Sequence, residues 1–311
     1  VALSPYQTVT DRIVAMLEAG TPPWQRSWSV GQPTISGPIV RPLRACGKPY
    51  TGANVINLWA AGMMRGFRSR YWMTYKGAKE AGGNVRKGAK SELAFYVGKH
   101  TVEAKEPDQD DKTVSFMRAY CVFNCDEIEG LPARFYATEA PAPIEPAAPT
   151  HARNGEVDTF VSNLNASIAH GGDRAYYMPS MDAVRMPHLE QFDSAESYYA
   201  TLLHELTHWT SHETRCPRPL GARFGDDAYA AEELVAELGA AFLCADLGVT
   251  NEPRADHASY IASWIRVLKA DNRAIFRAAS LAEKAATFMH GKQPASEAQD
   301  EAEAEPEAMA A

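Results

Sequence analysis

His204-Glu205-Leu206-Thr207-His208 decides the reading of this chain. Residues four apart on a helix share a face, so two imidazoles in this spacing can grip one metal ion from one side. The glutamate between them is placed to take a proton from a metal-bound water. The flanks predict a helix over 195–212. Asp193 stands as N-cap with Glu196 three residues on, the pair of a capping box. Glycine and proline are absent from 195–212, and Leu202, Leu203, Leu206 and Trp209 form the apolar stripe of a helix packed on a core. His204 and His208 lie beside that stripe. His212 is excluded as a further ligand, because on a continuous helix it stands about 12 Å along the axis from His204 at ~1.5 Å per residue. An ion bound at about 2.0–2.1 Å cannot bridge that span.

A catalytic site of this kind normally takes a third protein ligand. Downstream, Asp226-Asp227 reads as the start of a second helix through Cys244, with small residues Ala236, Gly239, Ala240 and Ala241 that permit close approach of another helix. Glu233 and Glu237 are one turn apart on it and share a face. Acids on an otherwise apolar helix are costly to bury unless they are paired or metal-bound. This arrangement resembles the gluzincin pattern of metallopeptidases. That resemblance implies Glu233 as third ligand and Glu237 as the acid that orients a bound histidine. Glu232 replaces Glu233 if the helix phase is off by one residue. Glu205 is then the general base toward a zinc-bound water, and Tyr229 a donor to the oxyanion. Arg174 to Pro187 reads as short strands broken by prolines, one expected as an edge strand above the metal helix, where an extended substrate can add.

The chain has 311 residues, enough for two domains with separate cores. Its net charge of −8 conceals a split: residues 1–100 carry 14 Lys and Arg against 4 Asp and Glu, and the remainder 17 against 35. The N-terminal part is therefore strongly basic and the rest acidic. The five cysteines form no C-x-x-C pair, no apolar run is long enough for a membrane span, and no leader of basic then apolar residues is visible. A cytoplasmic protein is expected. Residues 137–152 are Ala/Pro-rich and read as a linker, the acid-rich run 103–111 as a hairpin tip or exposed loop, and 291–311 as an acidic disordered tail. The expected organisation is an N-terminal α+β domain over 1–136, the linker, and a metallopeptidase-like domain over 153–290.

The N-terminal part interleaves rings with cations: Trp24, Arg26 and Trp28; Lys48, Tyr50 and Asn54; Arg70, Trp72 and Thr74; Lys79; then Arg86, Lys87 and Lys90. Single-stranded nucleic acid is held in this way, rings stacking on bases and cations tracking phosphates. A short amphipathic helix is expected over 8–20 and another over 54–64, with Trp59 inside it as core.

Trp24 to Trp28, Tyr50-x-Gly52-x-Asn54, Trp72-x-Thr74, Val85-Arg86-Lys87-Gly88, and Val122-Phe123-Asn124 followed by Glu129-Gly130-Leu131-Pro132 resemble the N-terminal domain of the ArdC antirestriction family. A similar domain precedes plasmid primases of the TraC type. The stretches His204 to Thr210 and Glu232 to Leu238 are similar to the same family, so the resemblance spans roughly residues 5–290. It implies a two-domain α+β protein: an N-terminal domain that binds single-stranded DNA and a zincin-like C-terminal domain, similar in architecture to the Spartan/SprT proteases of DNA–protein crosslinks. The implied function is a zinc peptidase acting on DNA-bound protein. The alternative is a non-catalytic protein that shields incoming plasmid DNA from restriction, with a structural or vestigial metal site.

Overall fold

Ser4 opens the first helix, its hydroxyl accepting from Gln7 N at 3.2 Å, and Pro5 takes the first helical position, where no N–H is needed. This helix, α1 (Pro5–Glu18), buries Val9, Ile13, Val14 and Leu17 along one face. The structure is a computed structural model and describes residues 4–25, 39–102, 112–136, 151–221, 226–251 and 257–294. Arg26, Trp28, the acidic run 103–111, most of the Ala/Pro-rich run and the end of the chain from 295 lie outside the described residues.

The N-terminal part continues with α2 (Ala53–Arg65), β1 (Trp72–Met73), α3 (Tyr75–Glu80), β2 (Asn84–Val85), β3 (Glu92–Val102), β4 (Lys112–Asn124) and β5 (Ile128–Glu129). Strands β3 and β4 form a long antiparallel ribbon, Glu92 facing Val122 and Val102 facing Lys112, with β1 on the other edge of β4. Gly52 stands at φ +57° ahead of α2, a left-handed conformation that glycine tolerates.

The C-terminal part holds α4 (Gly155–Asn163), β6 (Ser167–His170), β7 (Tyr176–Met178), β8 (Ala183–Met186), α5 (Ala195–Trp209), α6 (Asp227–Leu247), α7 (His257–Ala270) and α8 (Ala274–His290). Its sheet has the order β6-β8-β7, with β6 parallel and β7 antiparallel to β8. Strand β7 is therefore an edge, and both β7 and β8 lie against α5. The arginine of the loop after α5 ties this hairpin down: Arg215 Nη1 donates to Asp182 at 2.9 Å while its guanidinium lies 4.0 Å from the Trp209 ring.

The expectation of two separate cores is corrected. One continuous buried core runs from Val9, Trp24, Val55 and Trp59 through Leu203, Phe242 and Ala282 to Met289. A small second cluster gathers Met73, Ala78, Cys125, Ile128, Leu131 and Phe135. Polar bonds cross the same boundary. Buried Arg41 forks onto Asp246 at 2.8 and 3.0 Å and reaches Glu283 at 2.8 Å, and Glu283 accepts Gly52 N–H at 3.0 Å. No helix among the described residues is long and apolar enough to cross a membrane.

Two boundaries of α5 also differ from expectation. Ser194, not Asp193, is the N-cap, its Oγ accepting from Ser197 N at 3.0 Å. The helix ends at Trp209 rather than at His212, which turns away with its Nδ1 2.9 Å from Thr214 Oγ1.

Candidate metal centre and its surroundings

Helices α5 and α6 cross where Gly239 faces Thr207, so closely that a Cβ at 239 would stand 2.5 Å from Thr207 Cγ2. That approach brings the two acidic turns of α6 against the two histidines of α5. His204, Glu205, Glu233 and Glu237 are each 5 % exposed or less. One ligand atom from each of His204, His208 and Glu233 lies within 4.8 Å of the others. His204 Nε2 is 3.5 Å from Glu233 Oε2, and His208 Nε2 is 3.5 Å from Glu233 Oε1. Ligands held about 2.1 Å from one tetrahedral ion stand about 3.4 Å apart; both imidazole–carboxylate distances match that spacing, and the three groups lie close enough together to share one cation. The donor set agrees with the spacing: neither ring nitrogen of His204 has a hydrogen-bond partner, although both are buried.

The groups behind the triad are ordered. His208 Nδ1 lies 3.0 Å from Glu232 Oε1, and Arg218 grips that carboxylate with two bonds of 2.9 and 3.0 Å. Arg218 also donates to Thr210 Oγ1 at 2.9 Å and to the Thr207 carbonyl. Glu237 Oε2 is 3.7 Å from His204 Nδ1, and Glu237 Oε1 accepts from Gln25 Nε2 at 3.0 Å. Glu232, weighed from sequence as an alternative ligand, therefore meets the far nitrogen of His208 and not the space between the Nε2 atoms. Arg218 went unread, because nothing local links a Pro-Arg-Pro loop to a glutamate one helix later.

Burial disfavours charge on His208, but Glu232 and Glu233 outweigh it and push its value up to about 10. Burial likewise opposes ionisation of Glu233, and the contacts with His204 and His208 outweigh it and hold the carboxyl well below its usual range. Without a cation the site is thus an imidazolium–carboxylate cluster. Tyr229, one turn ahead of Glu233, has its hydroxyl 3.3 Å from that of Tyr260. Burial first, then Tyr260 and Glu233, keep its phenol protonated far above the usual value.

Comparison with known proteins accords with this geometry. The family model "zincin-like metallopeptidase" matches residues 155–281, and that for the N-terminal domain of anti-restriction factor ArdC matches 4–123. The crystal structure of the antirestriction protein ArdC from plasmid R388, in its metal-free form, superposes with a TM-score of 0.76 at 40 % identity, over 92 % of this chain and 97 % of that one. Its Mn(II)-bound form gives the same score and identity over 93 % and 98 %. The chain belongs to the ArdC antirestriction family. An uncharacterized protein of Sinorhizobium fredii, y4eC, is 38 % identical over 93 % of this chain and 92 % of its own length. A DNA primase TraC of Escherichia coli is 37 % identical over 91 % of this chain, but the match spans only 27 % of the primase. The ArdC-type N-terminal domain and the zincin-like domain together make a two-domain α+β protein.

Within the N-terminal domain, several residues expected to touch nucleic acid are structural. Trp24, Tyr50 and Trp72 are 0, 2 and 2 % exposed, so their rings cannot stack on bases. Trp24 packs edge-on against Trp264 at 6.2 Å, and Tyr50 donates to the Trp72 carbonyl at 3.3 Å. Buried Asn54 bonds both backbone groups of Phe95, at 2.7 and 2.9 Å, and Thr74 caps α3 by accepting from Gly77 N at 3.0 Å. Lys48, Arg70, Lys79, Arg86, Lys87 and Lys90 are exposed; Arg86 pairs with Glu129 at 3.1 Å and Lys79 bonds Asn84. Two exposed rings were missed. Tyr75 has Lys79 Nζ 5.9 Å from its centre. Tyr96, 58 % exposed, meets Phe116 over the bare backbone of Gly98, and Arg118 lies 5.3 Å above Phe116. Alternation along the β3–β4 ribbon was the available signal, since 96, 98, 116 and 118 share one face.

Proposed function

We propose that this chain is a divalent-metal peptidase that acts on protein associated with single-stranded DNA, with zinc as its metal. The observation that carries the reading is the convergence of His204 Nε2, His208 Nε2 and Glu233 on one space, with Glu205 beside His204 on the same helix. Three protein ligands leave a position for water, as in catalytic rather than structural zinc sites. A bound cation supplies Lewis acidity and makes water acidic enough to yield its proton near neutral pH.

The chain's own residues take the remaining roles. Glu205 accepts the proton and returns it to the leaving amine. Glu232, locked by Arg218, bonds His208 Nδ1 and turns the Nε2 of that ring inward, while Glu237 Oε2 faces His204 Nδ1 from 3.7 Å, within a small shift of doing the same for His204. Tyr229 stays protonated and is a donor to developing oxygen charge. The free edge of β7 beside α5 offers backbone groups to an extended substrate.

The nucleic-acid half of the reading is supported by the basic balance of residues 1–100, by the exposed ring of Tyr75 beside Lys79 and that of Tyr96 beside Phe116, over which Arg118 lies, and by the likeness to a DNA primase and to ArdC. The burial of the whole triad favours a second reading, in which the metal is structural and the protein protects DNA by binding it. Metal content and cleavage of a DNA-bound protein, measured on wild type and Glu205→Gln with and without single-stranded DNA, separate the two. One metal per chain, with cleavage lost in the variant and metal retained, is expected. Metal bound with no cleavage under any condition selects the protective reading, and equal cleavage by the variant removes Glu205 from its role.

A further inference from the structure

We propose that Gln25 is a positioning residue for His204, acting through Glu237, so that a segment of the N-terminal domain sets the metal affinity of the C-terminal one. The inference rests on reading His204, His208 and Glu233 as a metal site. Gln25 is buried, and its Nε2 donates to Glu237 Oε1 at 3.0 Å across 212 positions of sequence. The other oxygen of the same carboxylate, Oε2, is the one nearest His204 Nδ1, at 3.7 Å. For Nε2 of His204 to present a bare lone pair toward Glu233, Nδ1 must carry the proton and needs an acceptor. A carboxylate on a flexible side chain has several ways to turn. The Gln25 amide engages one oxygen and leaves the other facing His204 Nδ1 from 3.7 Å, a gap that a shift of well under an ångström closes to a hydrogen bond when His204 takes up a metal. An amide suits this task better than a cation: it fixes the carboxylate without neutralising the charge that supports the imidazole.

Gln25 is itself held firmly. Its N–H donates to the Pro22 carbonyl at 3.1 Å, and Pro22 and Pro23 restrict the backbone that leads to it. Asn251 Nδ2 donates to the Trp24 carbonyl at 2.9 Å. The Trp24 ring meets Trp264, which stacks at 6.0 Å on Tyr260, whose hydroxyl faces Tyr229 beside Glu233. The Trp24–Gln25 pair thus stands behind two of the three candidate ligands, His204 through Gln25 and Glu233 through Trp24. A zincin-like domain built as an independent unit has no need of such a wall from another domain.

Co(II) is the probe, because its visible absorption reports ligand geometry and its titration reports affinity without any substrate. Wild type, Gln25→Ala, Gln25→Met, Glu237→Gln and the exchanged pair Gln25→Glu with Glu237→Gln are titrated as full chains, with thermal midpoints recorded for each. The two single changes at Gln25 are expected to bind Co(II) about tenfold more weakly, with an altered visible band. The exchanged pair is expected to recover part of that loss relative to Glu237→Gln, since an amide at 237 can accept from His204 and donate to the carboxylate at 25. Wild-type affinity and spectrum in both Gln25→Ala and Gln25→Met overturn the proposal, and so does a loss that the exchanged pair does not relieve, which assigns the effect to packing. A wild type that gives no Co(II) band overturns instead the metal reading on which the proposal rests.

Discussion

Gly239 and Thr207 set the distance between the two helices of the site: a methyl group at 239 would lie 2.5 Å from Thr207 Cγ2 and 2.7 Å from its Oγ1. Thr207 stands between the two histidines on α5, and Gly239 lies two residues beyond Glu237 on α6. Any added volume there pushes the histidines away from the acids. Gly239→Ala is expected to cost about 1–3 kcal/mol as overpacking, despite the better helix propensity of alanine. It should also weaken metal binding, because ligand spacing changes. Thr207→Ala frees room at the same point, so the double variant should recover much of both losses. Chemical denaturation and metal titration of the four proteins form the cycle, and strict additivity would sink the claim.

Arg218 and Glu232 are both about 3 % exposed, so this is a buried ion pair with His208 as its third member. Removing Arg218 leaves the Glu232 carboxylate with His208 alone against it, and breaking a buried ion pair typically costs about 3–5 kcal/mol. Arg218→Met should lower the thermal midpoint strongly. Arg218→Lys should rescue little, because a point charge cannot reproduce the two parallel bonds to one carboxylate. Glu232→Gln in the Arg218→Met background should restore part of the stability, since it removes the carboxylate that lost its guanidinium while its amide oxygen can still accept from His208. Full rescue by lysine would show that charge alone, without the fork, accounts for the pair.

The metal-free protein should carry a pH signature of its own. His208 has its value raised from 6.5 to about 10. A raised value means that the folded state holds the proton more tightly. Its contribution to stability is therefore full below the unfolded value and lost as pH rises through the folded one. Glu233 is depressed from 4.5, so its contribution is full above that value and lost as pH falls below it. The two shifts describe one cluster, with its plateau between the two unfolded values. A cation competes with the His208 proton, so metal affinity should rise across the alkaline side of that plateau. Thermal midpoints in chelator, compared between wild type and His208→Gln, test the sign. The wild type should lose more stability between pH 6.5 and about 10, and parallel profiles would overturn the assignment.

What could be read in the sequence divides along the range of the interactions. The pairing of His204 with His208 follows from one helical turn, and so does the shared face of Glu233 and Glu237. Both survive any tertiary arrangement that keeps the helices. The exact start of α5 was misread by one residue because Asp193 and Ser194 have equal capping chemistry, and only the local backbone selects Ser194. Its end was misread because neither glycine nor proline marks Trp209. The rings of Trp24, Tyr50 and Trp72 were misassigned for a different reason. A tryptophan among basic residues has the same composition whether it stacks on a base or on Trp264, and the partner that buries Trp24 lies at the far end of the chain. For the same reason the shared core escaped: an Ala/Pro-rich run between two patterned regions reads as a separator, although α1 and α2 pack on α7 and α8.

That misassignment gives the nucleic-acid reading its most discriminating test. Trp72→Ala removes a core ring and should cost about 3–5 kcal/mol of stability. At temperatures where the variant is folded, it should bind single-stranded DNA as the wild type does. Lys87→Ala touches an exposed cation, so it should leave stability unchanged, weaken all sequences alike and lower the salt slope by about 1. Tyr96→Ala should weaken binding by about 1–3 kcal/mol with little change in salt slope, because it removes stacking rather than a phosphate contact. Fluorescence anisotropy at several salt concentrations, paired with thermal midpoints, sorts the three. A Trp72→Ala protein that keeps its midpoint and loses DNA would return that ring to the interface. Loss of binding confined to Tyr96→Ala and Lys87→Ala would place the contact on the outer ribbon and its neighbouring cations, away from the core that buries the metal site.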